Sequence, residues 1–270
     1  MLKRGNNMEI LVLLLAFGAS VVGAICGIGG GVIIKPLMDA ANIADVAQIS
    51  FLSGCTVLGM SCYSVVRAVA SKESLVRLQT GTPLAIGAAI GGFFGKNLFS
   101  QLQSVAAQPD RVGGYQTVCL AILAVATLVY TLNKQRIVTL QIKSVVLCAA
   151  VGLALGLMSS FLGIGGGPIN LVVLHYFFSM PTKEAAQNSL YIILISQVAS
   201  LLTSVVGASI PVFEPLWLVL MVTGGILGGI VGRCMNKRLA AGMVDRLFIG
   251  LVIAIICISV WNAWRFFTMA

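Results

Sequence analysis

The chain has 270 residues, of which 59% are apolar and only 9% charged. A soluble domain carries about a quarter charged residues, so a soluble globule is excluded. The net charge of +9 does not argue for nucleic acid, because most Lys and Arg fall in short loops between apolar runs, where they set membrane topology and meet anionic headgroups.

The apolar runs are continuous rather than alternating, which predicts membrane helices and excludes barrel strands. The first covers 8–25, after Lys3 and Arg4. It has the look of a signal peptide but is read as retained, because Gly27-Ile28-Gly29-Gly30-Gly31 follows directly and belongs to a repeat. A short helix over 32–43 comes next, then long helices over 48–66, 80–99 and 114–132. The second half reads as a helix over 144–161, the run Gly163-Ile164-Gly165-Gly166-Gly167, a short helix over 168–180, and long helices over 186–206, 215–234 and 247–264. No polar stretch is long enough for an appended catalytic domain. The seven cysteines lie in apolar segments without CxxC or Cys/His spacing, so neither a metal site nor a cofactor is expected.

The two halves match in order. Ala47-Gln48-Ile49-Ser50 returns as Ala186-Gln187-Asn188-Ser189. Gly87, Gly91 and Gly95 return as Gly224, Gly228 and Gly232, Gly92 as Gly229, and Lys96 as Arg233. We therefore read an N-terminal transmembrane repeat, 1–138, and a C-terminal one, 139–270. The short helices are too short for the roughly 30 Å hydrocarbon core, which puts the glycine turns at membrane depth. Crossing short helices would make five crossings per half and inverted repeats; re-entrant ones would make four and parallel repeats. The basic loops 67–79, 133–143 and 235–246 fall on one side only with an odd count. The fold class is thus an all-α polytopic membrane protein of two inverted repeats of about five helices, each with a Gly-broken short helix. Both termini would then lie outside, and Lys3 and Arg4 run against that N-terminal side.

The glycine runs are neither a P-loop nor a dinucleotide fingerprint, since Val32 and Pro168 hold the sixth place. A glycine turn that opens a helix presents N–H groups and the positive dipole end to an anion. The alternative is close helix packing through small residues. The candidate anion site therefore includes Gly27, Gly29, Gly30, Gly31, Gly163, Gly165, Gly166 and Gly167. Lys35, one turn into the first short helix, is placed to attract an anion or to snorkel to the interface. His175, the single histidine, could carry a proton or bond a neighbouring helix. Gln48, Ser50 and Ser53, with Gln187, Asn188 and Ser189, offer donors to sulfonate or carboxylate oxygens, or else cap helices. Asn170, Thr56 and Gln197 are weaker candidates. The glycine faces at four-residue spacing predict tight helix packing, and a homodimer through them is conceivable. Lys96 and Arg233 read as interfacial anchors. Every Asp and Glu lies near a helix end or in a loop, so the interior is neutral or positive and suits an anionic substrate.

Two glycine-rich turns in a repeat of about 135 residues, each before a short segment and an Ala-x-x-Ser-type helix start, resemble the TauE/SafE family of sulfite and organosulfonate transporters. Pro36 stands where family members often have proline. The family often has Gly-Thr-Ser at the next helix start, where this chain has Gln48-Ile49-Ser50 and Gln187-Asn188-Ser189. The resemblance implies a multi-pass carrier in a bacterial or archaeal inner membrane, moving sulfite, sulfoacetate or another organosulfonate. It points to an exporter working by alternating access. A passive anion channel and an uptake permease are the alternatives. An intramembrane enzyme would have only Lys35, Cys26 and His175 to work with, so no catalytic residue is assigned.

Overall fold

The computed structural model describes residues 2–72, 74–105, 109–162, 164, 167–207 and 210–268. Among these are ten α-helices, one 3-10 turn and no strand. They are α1 (Leu2–Cys26), α2 (Gly31–Ala41), α3 (Val46–Ala70), α4 (Leu78–Val105), α5 (Pro109–Asn133), α6 (Val145–Leu162), α7 (Pro168–Phe178), α8 (Thr182–Val206), α9 (Pro215–Arg238) and α10 (Ala241–Thr268). Seven of them, α1, α3, α5, α6, α8, α9 and α10, are long and apolar enough to cross a membrane. The chain is a polytopic helical membrane protein. α4 is equally long, but its glycines and polar residues make it less apolar.

α2 and α7 have 11 residues each, or about 16 Å of helix. Both stop at a non-glycine residue in the left-handed region, Asn42 (φ 51°) and Ser179 (φ 52°). The N–H groups at these stops turn back onto the last carbonyls, Asn42 N to Asp39 O at 3.1 Å and Ser179 N to His175 O at 3.0 Å, which satisfies acceptors the helix itself leaves open. Pro168 opens α7 at a position where a missing N–H costs nothing.

The packing of the first half is exchanged in the second. α4 packs on α6 and α8, while α9 packs on α1 and α3. Glycine ladders make these approaches possible. A Cβ on Gly87, Gly91 or Gly95 would strike the backbone of Ala149, Leu153 or Leu157 on α6, and α6 answers with Gly152 and Gly156 against Leu84 and Ala88. Gly224, Gly228 and Gly232 lie in the same way against Leu13, Phe17 and Val21 of α1. Backbones this close gain dispersion and Cα–H···O contacts that lipid cannot supply. The faces are therefore covered inside the chain. The α4 and α9 ladders named for a homodimer are thus occupied by α6 and α1 of the same chain.

Polar contacts gather the loops into two ends. At one end Arg77 pairs with Glu184, Lys134 with Asp245 at 2.6 Å, and Lys183 Nζ donates to Lys237 O at 3.5 Å. These contacts join the three basic loops expected on one side. At the other end Asn262 Nδ2 donates to Pro36 O at 2.8 Å, Arg265 to Ala40 O at 2.8 Å, and Phe51 stacks near Phe213 with centroids 5.3 Å apart. α3 and α8 run between the two ends and pack on each other.

Candidate functional site

The first glycine turn is packed tightly. Gly27 and Gly29 both have φ +77°, a region that strains other side chains. An added Cβ on Gly27 would enter Ala186 of α8, and one on Gly31 would strike the carbonyl of Ile164. Ile164 belongs to the second turn, so the two turns touch. Close approach therefore accounts for these two glycines. Gly29 and Gly30 are buried beside them, as is Gly167 in the second turn. Gly163, Gly165 and Gly166 lie outside the described residues.

Lys35 does not snorkel. It is 4% exposed, and its Nζ donates to Gln116 Oε1 at 2.7 Å and to Leu162 O at 2.8 Å. Gln116 Nε2 in turn donates to Phe161 O at 2.6 Å. Phe161 and Leu162 end α6, where carbonyls lack intrahelical donors and the dipole is negative. Lys35 and Gln116 thus cap α6 just before the second glycine turn. Asp39, near the end of α2, is also enclosed, and its Oδ1 meets no hydrogen-bond partner among the described residues. His175 Nδ1 lies 2.9 Å from the Tyr130 hydroxyl of α5, an interhelical hydrogen bond.

The paired helix starts serve the connections into α4 and α9. Gln48 Nε2 donates to Val212 O, three residues before α9. Gln187 Oε1 accepts from Leu75 N, three residues before α4, at 2.9 Å. Asn188 Nδ2 donates to Leu75 O at 3.1 Å and to Glu184 O at 2.9 Å, while its Oδ1 accepts from Arg77 N at 3.0 Å. These amides act as clamps on chain segments. Ser53 Oγ donates to Ser50 O within α3 at 3.2 Å, and Thr56 bonds Leu52 O in the same way. Asn170 and Ser189 are buried together, with Nδ2 and Oγ 3.5 Å apart.

Ser50 is different. It is 8% exposed, and its hydroxyl makes no hydrogen bond among the described residues. It lines a cavity with Lys96 of α4, Ser159 and Ser160 of α6, and Gln197, Ser200 and Ser204 of α8. Small residues leave this room open. A Cβ on Gly92 would come within 3.2 Å of Ser160 Oγ, and one on Gly54 within 3.4 Å of Gln197 Nε2. Lys96, expected as an interfacial anchor, borders this chamber, and among the described residues the lining holds no carboxylate. An ammonium among hydroxyl and amide donors matches the acceptor oxygens of a small oxyanion. Sequence reasoning had only Ser50 and, weakly, Gln197. The legible signal for the rest was the spacing of Gln197, Ser200 and Ser204, which puts three polar side chains on one face of an apolar helix.

A polytopic helical protein with a basic, hydroxyl-lined chamber walled by both halves of its chain has the build of a membrane transporter. The family model described as "Sulfite exporter TauE/SafE" matches residues 12–258, and the chain belongs to that family. It is 24% identical over 270 residues to the "Probable membrane transporter protein YunE" of Bacillus subtilis (strain 168), covering 92% of this chain and 96% of that one. It is 32% identical over 120 residues to a "Probable membrane transporter protein" of Xylella fastidiosa (strain 9a5c), covering 43% and 44% of the two chains. No solved structure matches.

Proposed function

We propose that the protein is a secondary transporter that exports a small sulfur oxyanion, sulfite, sulfoacetate or another organosulfonate, by alternating access. The observation that carries this reading is the chamber at Lys96, where the Ser50 hydroxyl, without a hydrogen-bond partner among the described residues, and serines of α6 and α8 line one cavity with a cation. The anion rests there, between helices of the two halves, as is common at repeat interfaces of transporters. Residues 1–138 and 139–270 act as inverted repeats; the exchanged packing of α4 and α9 supports this. The end that gathers the basic loops faces the cytoplasm of a bacterial or archaeal cell, in the inner membrane. A negative interior then favours anion exit by about 2.3 kcal/mol per charge per 100 mV.

The glycine turns, first read as the anion site, take a supporting part. They break α1 and α6 at depth and let the two breaks touch. Ser159 and Ser160 lie in the last turn of α6 before its break, so the cap made by Lys35 and Gln116 holds them in register.

The test is sulfoacetate flux in proteoliposomes. The reading expects saturable efflux, acceleration by anion on the opposite side, and at least a tenfold loss in Lys96→Gln. Non-saturating conductance without exchange would make the protein a channel. Undiminished flux in Lys96→Gln would empty the chamber of its role.

A further inference from the structure

Arg233 is the repeat partner of Lys96: each follows the last glycine of a ladder, Gly232 or Gly95. It too borders a cavity, walled by α3 and α8 together with α1 and α9. Ser64, Gln187 and Asn236 share the lining, which holds no carboxylate among the described residues. Ser64 is 3% exposed, and its hydroxyl meets no hydrogen-bond partner among the described residues. It is to this cavity what Ser50 is to the Lys96 chamber. Two enclosed hydroxyls on one helix, each unpartnered and each beside a repeat-related cation, are hard to account for by packing alone, since such groups are normally satisfied.

The two cavities lie toward opposite ends. Gln187 Oε1 accepts from Leu75 N and Arg233 reaches Ser71 Oγ at 3.3 Å, which fixes the Arg233 cavity at the basic end. The Lys96 chamber includes Phe51, which stacks near Phe213 at the other end. Ser50 and Ser64 are 14 positions apart on α3, or about 21 Å along the helix. A gap of that size makes two stations, not one enlarged site.

We propose that the Arg233 cavity is a second binding site for the same class of small oxyanion, the station at the basic end from which the anion passes to the Lys96 chamber. The passage rests on the transport reading above; the binding site does not. Cations gathered at that end raise the local anion concentration at its mouth. Arg233 also holds the end of α3 through Ser64 O at 3.2 Å, so loading this cavity and positioning α3 are coupled through one side chain.

The experiment is equilibrium binding of labelled sulfoacetate to the purified full-length protein, read as stoichiometry. The expected result is two per chain in the parent, one in Lys96→Gln, one in Arg233→Gln and none in the double variant. Arg233→Lys, which keeps the charge, retains two. If Arg233→Gln does not fold, Ser64→Val reads the same cavity and weakens one of the two sites about tenfold. One site, lost in Lys96→Gln and kept in Arg233→Gln, overturns this inference and leaves the transport reading standing. One site lost only in Arg233→Gln overturns the Lys96 chamber instead. No binding in the parent overturns both.

Discussion

Lys35 and Lys96 are both lysines of the first half drawn away from bulk solvent, and their surroundings differ. Lys35 is nearly inaccessible, and its ammonium meets the side chain of Gln116 and the terminal carbonyl of α6. Lys96 is half-buried and faces a cavity whose other polar groups are serines and one glutamine. A cation enclosed in a membrane protein is by default assigned to function. Here the more deeply enclosed one donates to two protein acceptors beside a pocket it shares with Asp39, while the less enclosed one borders a cavity lined by hydroxyls. What separates the two is the lining of the space they border: Lys35 shares its pocket with the Asp39 carboxylate and its Gln116 partner, whereas Lys96 shares its own with serines and one glutamine.

Four substitutions would break or sharpen that contrast. Lys35→Met should have the largest effect on stability, about 3 kcal/mol, because it strands Gln116 and the end of α6 without the charged donor. Chemical denaturation in detergent measures it, and a loss below about 1 kcal/mol would mean that the cap is dispensable. Gln116→Leu should follow at about 2 kcal/mol, since it removes one acceptor from Lys35 and one donor from Phe161 O. Asn188→Ala should cost about 1–2 kcal/mol by releasing the 75–77 segment. Its sulfoacetate affinity should stay within about twofold of the parent's, as expected of a clamp and not of a ligand contact. Gln48→Ala should cost least, under about 1 kcal/mol, because its contact with Val212 O is at the exposed end. A selective loss of anion affinity in Gln48→Ala would return that residue to the site.

Much of the architecture was legible in the sequence because lipid restricts the choices. Continuous apolar runs can only be helices there. The glycine turns were found from their duplication, and the ladders from their four-residue spacing. Both expectations meet their physical reason in the close approaches of Gly31 and Gly91. The site was less legible because it depends on pairings across long stretches of chain. Lys35 meets Leu162, 127 positions away, and Gln187 meets Leu75, 112 positions away. Nothing local to either residue announces such a partner. Serines pass as small helix-packing residues in an apolar run, so Ser159, Ser160, Ser200 and Ser204 carried no separate signal until four helices brought them around Lys96. Lys96 itself was hidden by its place after a glycine ladder, where an anchor was the simpler reading.

The contrast between the two lysines is tested most directly by ligand-induced stabilisation. Thermal unfolding of the parent, Lys35→Met and Lys96→Gln would be followed with and without saturating sulfoacetate. A ligand held at 100 times its dissociation constant adds about 2.7 kcal/mol. The account predicts that Lys35→Met starts lower but keeps most of the ligand-induced rise, while Lys96→Gln starts near the parent and loses at least half of it. A full rise in Lys96→Gln together with none in folded Lys35→Met would contradict the account and return the anion to Lys35.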